Sequence, residues 1–133
     1  MNGKMQPKQD HLPQNGIVTS VDAETYRVKV YLPLLDIETE YIRIGSMYVG
    51  AGWGLRSKLH DGDEVLVVFP NGDLNNGIVT CLLFSEESDP APEGEELMLI
   101  HESGSKFIFD SEGNITLQAA GALNLSGAKI NLN

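Results

Sequence analysis

Three histidines and one acidic turn are the side chains whose types could do chemistry in this sequence. His11, His60 and His101 lie far apart, and no two of them have the spacing of metal ligands. The adjacent acids at residues 61–64 are typical of a solvated turn. The sequence shows no nucleophile with a paired base and no separated pair of carboxylates in a plausible cleft. We therefore expect a protein that is not an enzyme, with no catalytic, cofactor-binding or metal-binding residues.

Two glycine-containing segments imitate ligand-binding motifs. Residues 50–54 (GAGWG) have the look of a dinucleotide-binding turn, but that motif requires a following helix, and no helical pattern follows. Residues 71–77 look like the start of a calcium loop, but the position for its last carboxylate is Leu82. A barrel loop and a turn are the simpler interpretations. Trp53 is expected to pack at the barrel mouth or against a neighbouring subunit rather than to stack on a base or sugar.

The composition excludes several classes of protein. The chain has 133 residues with 19 acidic and 9 basic side chains, so its formal charge is −10, which disfavours contact with nucleic acid phosphates. The one cysteine, Cys81, excludes an internal disulfide. The longest apolar runs are far shorter than the ~20 residues that span a bilayer. The polar start of the chain does not have the pattern of a signal peptide.

The elements that must position these side chains are strands. Alternating residues and apolar runs predict five of them, at residues 16–21, 26–32, 40–49, 65–69 and 77–84. The fourth is a continuous apolar run, as expected for a strand buried on both faces. Five short strands without a helix predict an all-β fold in which residues 15–84 form a five-stranded barrel of the oligonucleotide/oligosaccharide-binding (OB) type. Residues 1–14 are predicted to be a polar tail.

The sequence pattern changes after the predicted barrel. Residues 85–94 are acidic and contain prolines, which predicts a solvated, stiff linker. Residues 95–133 alternate with period two but show no tight-hairpin signal, and their apolar stripe is too thin to form a core alone. Open apolar edges pair with other chains. We therefore expect this segment to make the protein an obligate homo-oligomer.

Several segments resemble the central spike, or baseplate assembly protein V, family of contractile phage tails and related injection systems. This family includes the Mu-like tail spike and the valine-glycine-repeat spike. The resemblance rests on GIVTSV at residues 16–21, YRVKVYLP at 26–33, GDEVLVVF at 62–69 and the segments 103–110 and 113–117. It implies a homotrimer in which three barrels form a collar and residues 95–133 intertwine into a triple-stranded β-helix.

The resemblance also implies which side chains fill the axis of that helix and whether a metal lies there. Many phage members end in an iron-binding His-x-His apex, whereas this chain ends without histidine. His101 could still meet its two copies on the axis, although an ordinary surface histidine is the simpler alternative. The trimer core is expected to contain Phe107, Phe109, Ile115, Leu117, Leu123, Leu125, Ile130 and Leu132.

The function implied by the resemblance is mechanical. The spike of a baseplate pierces the target cell envelope and joins a separate hub protein to a tip-capping protein, and the short linker leaves no room for the lysozyme domain of some relatives. Such a protein is made in the bacterial cytoplasm without a signal peptide and works in a virion tail or injection particle. The alternative is a saccharide- or single-strand-binding barrel with an oligomerising β tail, which permits a monomer.

Overall fold

The computed structural model describes residues 12–90, 94 and 96–133. Most of the predicted tail at residues 1–14, including His11, lies outside the described residues, as do residues 91–93 of the predicted linker. The chain divides into two compact units, with the division between Ser88 and Asp89. Among the described residues, no helix has the length and apolar character needed to cross a membrane.

The first unit is built from short strands that close into a barrel. Its strands are β1 (Gln14–Asp22), β2 (Arg27–Leu32), β3 (Ile37–Glu38), β4 (Ile42–Ile44), β5 (Val49–Gly50), β6 (Trp53–Gly54), β7 (Glu64–Val68) and β8 (Ile78–Leu82). Hydrogen bonding runs β1–β7–β8–β4–β2, and the pairing of β2 back to β1 closes the five strands. The β4–β8 pair is parallel. The predicted all-β class and five-stranded OB-type barrel are confirmed.

The interior of the barrel follows from the period-two pattern of its strands. Successive side chains of a strand point to opposite faces, so alternate apolar residues fill the inside. At Gly16 the backbone of β1 approaches β2 so closely that a Cβ would overlap the side chain of Val30. The core consists of Val18, Val28, Val30, Leu32, Ile42, Leu59, Val65, Val67, Phe69 and Val79.

The predicted third strand over residues 40–49 is too long. The structure confines it to β4, Ile42–Ile44. Beyond β4 the chain leaves the barrel and forms a small hairpin in which Val49 pairs with Gly54 and Gly50 with Trp53. Gly52 and Gly54 in this hairpin have positive φ angles of 84° and 147°, which glycine adopts without steric cost. The alternation of residues 40–49 therefore does not continue as one strand.

The prediction that the fourth strand is buried on both faces is wrong. In β7, Val65 and Val67 are fully buried, whereas Leu66 and Val68 are half-buried. A closed barrel of five strands has one inner and one outer face, and no helix of the described residues covers the outer face of β7. Its continuous apolar run therefore fills the interior with only every second side chain.

The second unit is a three-stranded antiparallel sheet with the order β11–β10–β9. Its strands are β9 (Leu97–Ile100), β10 (Lys106–Phe109) and β11 (Ile115–Gln118). Contrary to the prediction, two tight turns connect them. His101 N–H donates to the carbonyl of Ser105 (2.9 Å) and Asp110 N–H to that of Asn114 (3.1 Å). Gly104 provides the positive φ angle of the first turn.

Candidate assembly surfaces

The pairing of the three strands in the second unit places six apolar side chains on one face. Phe107 lies directly opposite Leu99 and Leu117. Two residues later, Phe109 lies directly opposite Leu97 and Ile115. Directly opposite residues of paired strands share a face of the sheet. We call this set the apolar face: Leu97, Leu99, Phe107, Phe109, Ile115 and Leu117.

The apolar face is largely uncovered in the single chain. Leu97 is 61%, Leu99 74% and Ile115 62% exposed, and Leu117 is still 47% exposed. The ring centroids of Phe107 and Phe109 lie 5.0 Å apart, so these two side chains cover each other only in part. Contiguous exposed apolar patches of this kind are typical of protein or membrane interaction sites and of ligand-binding grooves.

The opposite face of the same sheet is mixed. It carries Met98, Ile100, Lys106 and Ile108, which are half-buried, and Thr116 and Gln118, which are exposed. One face of the sheet is therefore entirely apolar, whereas the other is half apolar and half polar. The apolar face is also the more exposed of the two in the single chain, because Leu97, Leu99 and Ile115 are exposed whereas Met98, Ile100 and Ile108 are half-buried.

The structure brings together half of the residues predicted to form the trimer core. Phe107, Phe109, Ile115 and Leu117 share the apolar face. The other four lie in residues 119–133, which form no strand within the single chain and leave these side chains exposed: Leu123 51%, Leu125 62%, Ile130 53% and Leu132 89%. The prediction that all eight line a common axis stays a prediction.

Sequence reasoning missed Leu97 and Leu99 as members of the apolar face. Both alternate with Met98 and Ile100, so the segment is apolar on both faces and its pattern does not show which residues belong together. Only the pairing of Leu99 with Phe107 settles this.

Asp110 fastens the turn between β10 and β11. Its Oδ2 accepts a hydrogen bond from Asn114 Nδ2 (2.9 Å), and its Oδ1 accepts from the backbone N–H groups of Asn114 (2.8 Å) and Glu112 (2.9 Å). These bonds, with that from the Asn114 side chain the largest cause, hold the pKa of Asp110 below its ordinary value. Gly113, with φ 87°, completes the turn. The turn aligns Ile115 and Leu117 with β10.

The candidate chemical residues lie apart from each other. His101 sits in the β9–β10 turn, where its Nδ1 accepts from Ser103 N–H (3.0 Å) and bonds to Ser103 Oγ (2.8 Å). His60 lies 3.7 Å from Asp63, whose carboxylate also accepts from the His60 backbone N–H (2.8 Å). The described part of the chain contains no group of three or more potential metal-ligating side chains.

The β5–β6 hairpin forms a second exposed apolar surface. The rings of Tyr48 and Trp53 pack against each other with centroids 4.9 Å apart. They are nevertheless 63% and 55% exposed, and Met47 beside them is 90% exposed. The structure thus places Trp53 against Tyr48 on the surface of its unit, and the predicted contact with a neighbouring subunit stays a prediction.

Comparison with known proteins identifies the barrel. No curated protein matches the chain. The profile of one family, described as the type VI secretion system/phage-baseplate injector OB domain, matches residues 14–84, just over half of the chain and all five strands of the barrel. The resemblance to baseplate spike proteins is thereby confirmed. The chain belongs to this family of injector OB domains, and this supports a structural role beside other components in the baseplate of a phage tail or injection particle.

Proposed function

We propose that this protein is the homotrimeric central spike of a contractile tail or injection machine and has no enzymatic activity. Three chains form a collar from their barrels and a triple-stranded β-helix from residues 95–133. The spike pierces the target cell envelope when the machine contracts. It joins a separate hub protein on the barrel side to a tip protein on the spike side.

The observation that carries the proposal is the uncovered apolar face. A three-stranded sheet has no second layer on which to bury six apolar side chains, and domains are stable only when such faces are covered. Three copies can turn their apolar faces toward one shared axis. The exposed leucines and isoleucine of residues 119–133 extend the same surface along that axis.

Intertwined strands suit a protein that carries load along its axis. In a triple-stranded β-helix each strand edge pairs with another chain, so no N–H or C=O row stays open. Pulling one chain out would break the backbone hydrogen bonds to both neighbours at once. A prism built in this way transmits axial force without bending, as envelope piercing requires.

The proposal is tested with a pair of variants in the extended segment. Leu125 is 62% exposed in one chain and belongs to the proposed core, while Asn124 lies in the opposite phase of the alternation. We expect Leu125→Asp to abolish the trimer, because it places three carboxylates near the axis, and Asn124→Asp to leave it intact. Sedimentation velocity measures the oligomer.

The same pair tests the place of the protein in the particle. In a strain that makes the particle, Leu125→Asp should prevent assembly of complete baseplates, and Asn124→Asp should permit it, as counted by electron microscopy. Normal particles that contain a monomeric Leu125→Asp chain would contradict the spike function. A lone binding barrel, the alternative, tolerates both substitutions.

A further inference from the structure

Two arginines face each other on adjacent strands of the barrel, and neither makes an ion pair within the described part of the chain. Arg27 begins β2 and lies directly opposite Arg43 of β4 and, on its other side, opposite Asp22 of β1. The Asp22 carboxylate accepts hydrogen bonds from Glu24 N–H (3.1 Å) and Thr25 Oγ1 (2.9 Å) within its own turn and makes no ion pair with Arg27. Both arginines are exposed, and neither makes an ion pair or side-chain hydrogen bond with any described residue. Like charges directly opposite each other destabilise an antiparallel pair. In a chain with a net charge of −10, two arginines without an ion pair to any described residue indicate a site for a further anion.

The arginine pair lies at the wall of an open cavity of about 470 Å³. The remaining wall is formed in part by Pro70, Asn71 and Asn76. Guanidinium groups bind carboxylates through two parallel hydrogen bonds, and asparagine amides add further N–H donors. The chemistry of the cavity therefore matches a ligand that presents carboxylates.

One carboxylate already lies in this cavity, but it serves the loop. Asp73 Oδ1 accepts from Asn75 N–H (2.9 Å), and its Oδ2 accepts from Asn76 Nδ2 (2.7 Å). These bonds cap the short 3₁₀ turn at Leu74–Asn76. Both oxygens of Asp73 thus have partners in their own loop, and neither lies within ion-pair distance of an arginine in the described chain.

A matching pair of carboxylates lies elsewhere on the same unit. Residues 85–88 form a turn in which Ser88 N–H donates to the carbonyl (3.1 Å) and to the hydroxyl (3.0 Å) of Ser85. Glu86 and Glu87 occupy the two central positions and are exposed. Neither makes an ion pair with a described residue. The turn therefore presents two adjacent negative charges on a hydrogen-bonded backbone.

The turn and the arginine pair cannot easily meet within one chain. Arg43 pairs with Ile78, at the start of β8, whereas the turn follows the end of β8 at Leu82. The length of β8 alone separates these points by about 13 Å. The structure accordingly contains no ion pair between the two sites among its described residues.

We propose that the Glu86–Glu87 turn of one copy docks into the Arg27–Arg43 cavity of the next copy. Two different patches that fit each other make a head-to-tail contact, which closes into a ring when the rotation allows. The proposal rests on the homotrimer of the proposed function. It adds a polar contact between neighbouring barrels that fixes their order around the collar, independently of the apolar spike.

Carbodiimide coupling of full-length chains tests the contact, because it joins a lysine to a carboxylate only when the two touch. Arg43→Lys keeps the charge and supplies the amine. The matched control carries Arg43→Lys together with Glu86→Gln and Glu87→Gln. The ion pair between Lys29 and Glu38, 4.0 Å apart in one chain, is the internal positive control. Products are separated on denaturing gels and mapped by mass spectrometry.

The expected product is a peptide that joins residue 43 to residue 86 or 87, found in bands of two or three chains and lost in the control. The proposal is overturned if sedimentation shows a trimer and the Lys29–Glu38 product forms, yet no such peptide appears. It is also overturned if the peptide appears only in the single-chain band. A cavity that binds another baseplate component gives the first of these results. A monomer by sedimentation refutes the homotrimer of the proposed function itself, and this proposal with it.

Discussion

Replacement of Leu117 by aspartate tests the apolar face at a position that the structure fixes. Leu117 pairs with Phe107 near the centre of the face and is 47% exposed in the single chain. Complete burial of a leucine side chain contributes roughly 2 kcal/mol, so covering the exposed half contributes about 1 kcal/mol per chain. Leu117→Asp loses this contribution three times in a trimer.

The buried charge is the larger cost. Each unpaired carboxylate that leaves water costs several kcal/mol, and three of them near one axis also repel each other. The free energy of trimer dissociation should therefore fall by on the order of 10 kcal/mol, or ~10⁷-fold in the association constant. Trimers that are stable at nanomolar concentration would then be monomers at micromolar concentration.

The matched control is Thr116→Asp. Thr116 is exposed, precedes Leu117 in β11 and points to the opposite, mixed face of the sheet, so it receives the same charge without entering the proposed axis. Sedimentation velocity at micromolar concentration should show single chains for Leu117→Asp and trimers for Thr116→Asp. Near-native far-ultraviolet circular dichroism should confirm that the barrel remains folded. A stable trimer of Leu117→Asp, or a monomer of Thr116→Asp, would refute the assignment of the apolar face.

Three further results are expected. Leu32→Ala should lower the free energy of barrel unfolding in urea by about 2–5 kcal/mol, because Leu32 is fully buried, whereas Leu34→Ala, at a residue 59% exposed, should change it little. The lowered pKa of Asp110 contributes stability that is present at neutral pH and lost as the pH falls below the ordinary aspartate pKa and through the folded-state pKa. Acid titration followed by circular dichroism should therefore show a smaller change for Asp110→Asn than for the unchanged protein. Identical titrations of the two would contradict the role of the turn. The trimer should persist in sodium dodecyl sulfate without heating and separate on boiling, because intertwined strands come apart slowly; dissociation in the cold detergent would contradict intertwining.

The barrel strands could be predicted from the sequence because the alternation of neighbouring residues along each strand shows which of its faces is buried. Alternation over residues 26–32 requires a strand with one buried face, and Pro33 marks its end. Five short strands without a helix then indicated the OB-type barrel, and the family resemblance agreed with it. The interior positions Val28, Val30 and Leu32 follow directly from the period of two.

The third strand and the two tight turns could not be predicted in the same way. The alternation of residues 40–49 is compatible with one long strand, and only the exit from the barrel after Ile44 ends it. The turn at residues 110–114 depends on hydrogen bonds from Asn114 to Asp110, which a search for short Asn-Gly hairpin loops overlooks. Strand register and turn geometry are thus the missing information.

The apolar face could be predicted only in part for a different physical reason. Alternation identified Ile115 and Leu117, but it cannot say which residues of β9 join them across the sheet. The register of the β9–β10 pair decides this, because it places Leu99 opposite Phe107. The segment 119–133 carries a similar alternation without any pairing in one chain, as expected if its partner strands come from other copies.

The mass of the purified full-length chain in native solution tests the central claim most directly. Sedimentation equilibrium or native mass spectrometry at micromolar concentration should give three times the 14.5 kDa of one chain. A single species of 14.5 kDa with a folded barrel would show that the apolar face and residues 119–133 need no partner copies. That result would contradict the trimeric spike.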